Sequence, residues 1–315
     1  MRPGSLRRVD HAYQLAELTP DRVPDVVALC QVALDLPDDA AEAEAIVGRL
    51  RHPGPLIGSA GERRTTGWVA LSGPDVVGVV LGSTGYGDTA VGHVDLIAVH
   101  PDHRRHGIGR ELLARVESAL AGFGVGAVAL VGNAPVYAWP GIDVRYTPAI
   151  CLAEASGYER QTVAWNMTAD LTPGSLALAP TAPAEARLAS AGVAVRRAVA
   201  ADVPGLVEFA QEHFGPGWGA ELSGSAGIHF AVRDGGVLGF ACWGSSRPSY
   251  FGPMGTAAAA RGLGVGGVLL RRCLQEQHAA GLTAAQIGWV GPVPFYSANS
   301  GARIERVFFL YRRQL

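Results

Sequence analysis

The chain has 315 residues, 48% of them hydrophobic and 17% charged, with a mean hydropathy of +0.18, which excludes a disordered, charge-rich polymer and supplies core material for two domains of ordinary size. A net charge of −2 gives no reason to expect a nucleic acid or an anionic membrane as partner. All 26 cationic side chains are arginine, and without lysine there can be no Schiff base, no PLP anchor and no Walker-type phosphate loop.

The N-terminal stretch MRPGSLRRVDHAYQ is charged and has no apolar core of the secretory kind. No apolar run approaches the roughly 18 residues of a spanning helix, so a cytoplasmic location is expected. From there the elements run in order. An opening strand is expected at Tyr13–Leu18, then a helix over about 21–34 after Asp21. Paired strands follow in GWVALSGPDVVGVVLGST (67–84), turning at Gly73–Pro74–Asp75, and a further strand in GHVDLIAV (92–99). A glycine-rich turn leads into a helix with apolar residues at helical spacing (110–121), a short strand (126–132), an aromatic loop (133–148), a helix (149–159) and a last strand.

Residues 171–192, LTPGSLALAPTAPAEARLASAG, lack aromatics and read as a linker between domains at 1–170 and 193–315. The second part repeats the first. It has a strand at Val193–Arg197, a helix over 201–214 after Asp202, and a hairpin at 227–245 turning on Asp234–Gly235–Gly236. YFGPMGT (250–256), a helix (267–281), a strand (283–289) and a final helix and strand follow. The motif R-x-x-G-x-G occurs twice, as Arg104, Gly107, Gly109 and as Arg261, Gly264, Gly266, with a constant offset of 157 residues. The expected class is α/β (α+β), each half a mixed, mostly antiparallel sheet flanked by helices on both faces.

In both copies the glycines follow a late strand and open a helix, which argues against the first-strand fingerprint of a dinucleotide fold. Glycines there let backbone approach a ligand, and a helix N-terminus offers free N–H groups to an anion. Arg104, Arg105 and Arg110 add charge beside the first loop. His100, His103 and His106 have metal-like spacing but lie inside a loop that must turn around a phosphate, so no metal is expected. Cys30, Cys151, Cys242 and Cys273 form no C-x-x-C and are expected as free thiols.

The sequence V-x-P-x-x-R-x-x-G-I-G, met by Val99, Pro101, Arg104, Gly107, Ile108 and Gly109, resembles the coenzyme-A loop of the GNAT superfamily of N-acetyltransferases. The second copy matches at Arg261, Gly264, Val265 and Gly266, with Thr256 and Ala258 in place of the usual valine and proline. The chain is thus identified as a tandem GNAT protein, similar in texture to members from antibiotic-biosynthesis clusters such as the clavulanic-acid type. The resemblance implies acyl transfer from acetyl-CoA, or another acyl-CoA, to the amine of a small molecule, by a monomer or homodimer. It places the donor against Ile97, Val99, Arg104, Arg105, His106, Gly107, Ile108, Gly109, Arg110 and Asn133, with the pantetheine along 94–99. In the second half it points to 251–256 and to Arg261, Gly262, Leu263, Gly264, Val265 and Gly266.

The family's acid, a tyrosine on the last helix, corresponds to Tyr296 in the second half and to Ala153 in the first. His93 and Asp95 alternate onto one side of a strand and are candidates for the base. Tyr250 and Glu221 are further candidates. Two rivals stand beside this reading: an acyl-CoA-binding protein with one or both halves non-catalytic, and a transferase acting on a protein N-terminus or an aminoglycoside. The tandem family also includes mycothiol synthase, which no motif here singles out.

Overall fold

A computed structural model of the protein describes residues 13–54, 56–57, 63–86 and 88–315. The first half runs β1 (Gln14–Glu17), α1 (Val23–Ala33), α2 (Pro37–Ala41), α3 (Ala43–Arg51), β2 (Thr65–Ser72), β3 (Asp75–Thr84) and β4 (Val91–Val99). It continues with α4 (Ile108–Gly122), β5 (Ala127–Leu130), β6 (Ile142–Asp143), α5 (Thr147–Ala155) and β7 (Glu159–Asp170). After α6 (Ala182–Ser190) the second half begins with β8 (Ala194–Arg197), α7 (Val203–Phe214), α8 (Pro216–Ser223), β9 (Gly227–Arg233) and β10 (Gly236–Trp243). It closes with β11 (Tyr250–Thr256), α9 (Val265–Ala279), β12 (Ala284–Ile287), α10 (Val293–Ser300) and β13 (Arg303–Gln314).

Local sequence accounts for most of these elements. On α1 the buried residues Val26, Leu29, Cys30 and Ala33 form one helical stripe. Every residue of β3 after Asp75 is buried, as a strand covered by helices on both faces requires. Its glycines let α4 approach: a Cβ on Gly78 would lie 2.9 Å from Ile108 Cγ2, and one on Gly82 would lie 2.5 Å from Val116 Cγ2. The β9–β10 turn places Asp234 and Gly235 at φ 52° and 81°, the left-handed pair that matches strand twist in a two-residue hairpin.

The strands form one sheet in the order β1-β2-β3-β4-β5-β13-β7-β12-β11-β10-β9-β8, with β6 beside β13. The order reads alike from both ends, and the halves exchange their last strands. β13 pairs with β5, Tyr311 opposite Leu130, and β7 pairs with β12, Ala169 opposite Ala285. β7 and β13 then pair with each other through the centre, Val307 opposite Trp165. All pairs are antiparallel except β4–β5 and β11–β12. Helices α1–α3 cover one face of the first half and α4 the other, around Val26, Ile46 and Val79 and around Leu112, Val116 and Val128.

The segment read from composition as a linker is packed. Leu171, Ala177 and Leu188 belong to the second half's core, and Glu185 on α6 pairs with Arg272 on α9. Its Pro, Ala, Ser and Gly content reads as a linker, but alanine is also the strongest helix former.

A buried charge cluster locks the halves together. Asp39 on α2, with no solvent exposure, accepts from Arg306 Nη1 and Nη2 at 2.8 and 2.8 Å, from Arg247 Nη1 at 2.6 Å and from the Tyr146 hydroxyl at 2.9 Å. Arg247 also reaches Glu42 at 2.5 Å, Arg306 reaches Asp143 at 2.7 Å, and Arg145 grips Asp143 at 3.0 and 2.8 Å. Three carboxylates thus face three guanidiniums. Burial pushes the Asp39 carboxyl up, but the hydrogen bonds and charges of Arg306 and Arg247 outweigh it and hold the group well below the usual carboxylate range.

Candidate active site

β4 and β5 are parallel neighbours only at their start, where Val91, Gly92 and His93 face Ala127, Val128 and Ala129. β4 then runs on to Val99 while β5 ends at Leu130, so the strands splay. The gap opens into a cavity of about 990 Å³, lined along one wall by Val94–Val99 and at its mouth by Arg105, Gly107, Gly109 and Arg110. That volume lies at the upper end of the usual range for small-molecule sites.

The loop at the mouth owes its shape to two left-handed residues, Arg105 at φ 70° and Gly107 at φ 90°. Gly107 is the N-cap of α4, and no side chain caps the helix. The N–H groups of Ile108, Gly109 and Arg110 therefore remain for an anion, at the positive end of a 15-residue helix. A Cβ on Gly109 would meet Leu152 Cδ2 at 3.3 Å, so the first turn of α4 packs close to α5.

The expected donor-binding residues do not all play one role. Ile97, Val99, Arg104, Arg105, Gly107, Ile108, Gly109, Arg110 and Asn133 line the cavity. Arg105 and Arg110 are exposed at the mouth. Arg104 instead turns back to the protein: its guanidinium binds Asp35 at 3.1 and 3.0 Å, the Ala33 carbonyl at 2.9 Å and the Val99 carbonyl at 3.1 Å. It fastens the loop to the end of α1. His106 is exposed, with Nδ1 3.3 Å from the His103 carbonyl, and lies outside the cavity wall. Asn133 spends its amide N–H groups on Ser83 Oγ at 2.8 Å and the Thr84 carbonyl at 3.0 Å, which ties the end of β5 to β3.

At the inner end stands Asp95, held by Arg63 Nη2 at 2.8 Å. Burial pushes its carboxyl up, against the opposing pull of Arg63. His93 lies beside it with Nδ1 3.0 Å from the Val131 carbonyl, and burial lowers its proton affinity. Further along are the aromatic loop residues Tyr137, Trp139 and Tyr146, all in the cavity wall. The Tyr137 hydroxyl leads out of the first half, to Glu221 on α8 at 3.4 Å. This connection has no sequence signal, because 84 residues separate the two.

The second half repeats the frame with different contents. Gly264 caps α9 at φ 85°, and Gly262 at φ 82° takes the place of Arg105. Arg261, Gly262, Leu263 and Gly264 are exposed, while Val265 enters the core. On β11, Gly252 stands where β4 has Asp95, and Pro253 carries no N–H. The Gly252 carbonyl accepts from Ser245 Oγ at 3.0 Å. Beside the loop, Phe295 and Met254 close on Gly266, whose Cβ would meet them at 3.3 and 3.7 Å. Tyr296 lies in the second core, 8% exposed, its ring centroid 6.1 Å from Phe251 and 5.1 Å from Phe295. Burial pushes its hydroxyl up to about 12. Tyr250, the counterpart of His93, is buried and receives the Asn166 amide at 3.1 Å.

Among the described residues, no group of three His, Cys, Asp or Glu is placed to hold a metal, and no helix is long and apolar enough to cross a membrane.

Comparison with known proteins matches this architecture. No curated protein matches the sequence. A region of a fungal multi-domain GH3 β-N-acetylglucosaminidase, described as a GCN5-related glucosamine N-acetyltransferase, shares the fold with a TM-score of 0.72 at 17% identity. The match covers 96% of this chain, which spans only 38% of the fungal one. A tandem GNAT protein from the clavulanic acid biosynthesis pathway gives 0.69 at 20% identity, covering 96% and 98% of the two chains. A GCN5-related N-acetyltransferase from Sphaerobacter thermophilus gives 0.66 at 18% identity, covering 96% and 95%. Residues 36–139 match the acetyltransferase (GNAT) family, and over 96% of its length the chain has the fold of a tandem GNAT protein.

Proposed function

We propose that the first half binds acetyl-CoA, or a related acyl-CoA, and that the protein transfers the acyl group to the amine of a small molecule. The observation that carries this is the splay of β4 from β5, with an uncapped helix N-terminus at its mouth. The fit is chemical as well as spatial. The unpaired edge of Val94–Val99 offers N–H and C=O groups to a pantetheine amide chain. The N–H groups at the start of α4 suit a pyrophosphate, and exposed Arg105 and Arg110 add positive charge. The bound thioester would supply an activated acyl group. Asp95, Asn133 and Tyr137 stand at the inner end, where an acceptor would enter.

The second half would not hold a donor. Proline removes one strand N–H, Ser245 occupies a strand carbonyl, and glycine replaces Arg105 in the loop. On this reading Tyr296 is a core residue, Arg261–Gly266 are a retained fold feature, and the acid role implied for Tyr296 has no counterpart at Ala153. A small-molecule acceptor, in an antibiotic or similar pathway, is supported by the tandem neighbour from clavulanic acid biosynthesis.

Native mass spectrometry with acetyl-CoA tests the division of labour. One coenzyme per chain is expected, lost in Gly109→Trp and kept in Arg261→Ala. Two per chain would refute the assignment of donor binding to the first half alone, and none would remove the acyltransferase reading. Thiol release with a panel of small primary amines then finds an acceptor. Tight binding without any turnover would favour a non-catalytic acyl-CoA-binding protein.

A further inference from the structure

Glu221 is a half-buried carboxyl on α8, at the seam between the halves. Three hydroxyls surround its Oε1: Tyr137 at 3.4 Å, Ser245 at 3.3 Å and Ser246 at 3.4 Å. These contacts are long beside the roughly 2.5–2.7 Å of a hydroxyl bound to a carboxylate. Ser245 has one proton and sits closer to the Gly252 carbonyl, at 3.0 Å. The charged groups around the site are few. Arg49 on α3 acts through space without a hydrogen bond to Glu221, and Cys242 on β10 and Tyr250 on β11 are the other titratable neighbours of the pair. Burial therefore dominates and pushes the Glu221 carboxyl up to about 7. Such a group exchanges a proton readily near neutrality.

Among the described residues, Tyr137 both lines the cavity and reaches this carboxyl with its hydroxyl. Trp289 holds the Tyr137 ring edge-on at 5.6 Å. We propose that the second half supplies Glu221 as a proton acceptor for the first half's cavity, acting through the Tyr137 hydroxyl. The inference rests on the acyltransferase reading above. The incoming ammonium gives one proton to the Tyr137 oxygen as the Tyr137 proton passes to Glu221. The freed amine forms the C–N bond to the acyl carbon of the acyl-CoA, and the C–S bond breaks. The second proton of the new nitrogen goes to the departing sulfur, which leaves as the thiol. Glu221 returns its proton to solvent between turnovers. Glu221 is thus a positioning residue for proton transfer, and Tyr137 is the group that meets the acceptor.

The test uses the full chain with acetyl-CoA, and binding of acetyl-CoA to the wild type is measured first. Its absence would overturn the acyltransferase reading independently of the Glu221 titration. Infrared difference spectra between wild type and Glu221→Gln then follow the protonated-carboxyl band across about pH 5–8. A titration near pH 7 whose midpoint moves in Tyr137→Phe is expected. A carboxylate ionised throughout, or a midpoint indifferent to Tyr137, overturns the proposal. With the fastest amine from the panel as probe, kcat/KM should fall about 100-fold in Glu221→Gln. Its rising limb near pH 7 should vanish while the acetyl-CoA Kd holds and the unfolding temperature does not fall. An unchanged pH profile and a rate within about threefold of wild type would overturn it.

Discussion

Removing Asp39 should cost more stability than removing any exposed acid. Asp39 takes four hydrogen bonds and faces two buried guanidiniums. In Asp39→Ala, Arg306 keeps Asp143 and Arg247 keeps Glu42, but three guanidinium N–H groups and the Tyr146 hydroxyl lose their acceptor. The cluster of three against three becomes two carboxylates against three cations, of which Arg247 and Arg306 are buried. Breaking a buried pair of this kind costs about 3–5 kcal/mol, mostly as an unpaired buried charge. Urea unfolding near neutral pH, followed by circular dichroism and tryptophan fluorescence, measures the loss. The sign of the pH dependence follows from the lowered carboxyl. Its stabilisation is present above the unfolded value of 3.8 and is lost as pH falls through the folded one, so the variant should lose part of the wild type's acid sensitivity. A destabilisation below about 1 kcal/mol, the level of a surface pair, would refute the argument that this cluster locks the halves.

Three further outcomes follow from particular contacts. Glu221→Gln removes a half-buried charge, so it should stabilise the protein above pH 7 by up to roughly 3 kcal/mol, from a carboxyl moved from 4.5 to about 7. The wild type's compensating stability is present below 4.5 and is lost as pH rises through about 7, so thermal melts at low pH should show no gain. Gly255→Ala would drive a Cβ into the Phe214 ring; a loss of about 1–3 kcal/mol in thermal unfolding is expected, and an unchanged midpoint would contradict the packing. Arg104→Ala releases the loop from Asp35 and from the Ala33 and Val99 carbonyls, so titration calorimetry should show acetyl-CoA binding about tenfold weaker at unchanged stoichiometry. Equal affinity would mean that the loop keeps its shape without this anchor.

The repeat and the order of elements were legible in the sequence because they rest on local physics. Alternation in 67–84 and 227–245 marks hairpins, helical spacing marks α1 and α4, and the recurrence of R-x-x-G-x-G marks two helix entries of one design. The left-handed Gly107 and Gly264 confirm why glycine stands there. What a side chain touches across the sheet is not local. Arg104 looks in sequence like a phosphate ligand, but Asp35, 69 residues away, claims its guanidinium. Tyr296 reads in sequence, by resemblance, as an acid, yet Phe251 and Phe295 pack against it in a core. The exchange of β7 and β13 changes nothing in the pattern of either strand, since a strand alternates in the same way beside any partner. That exchange and the Asp39 cluster bring α8 of one half against the aromatic loop of the other. Only this tertiary arrangement puts Glu221 behind Tyr137, because proton affinity depends on what burial removes and on which neighbours remain.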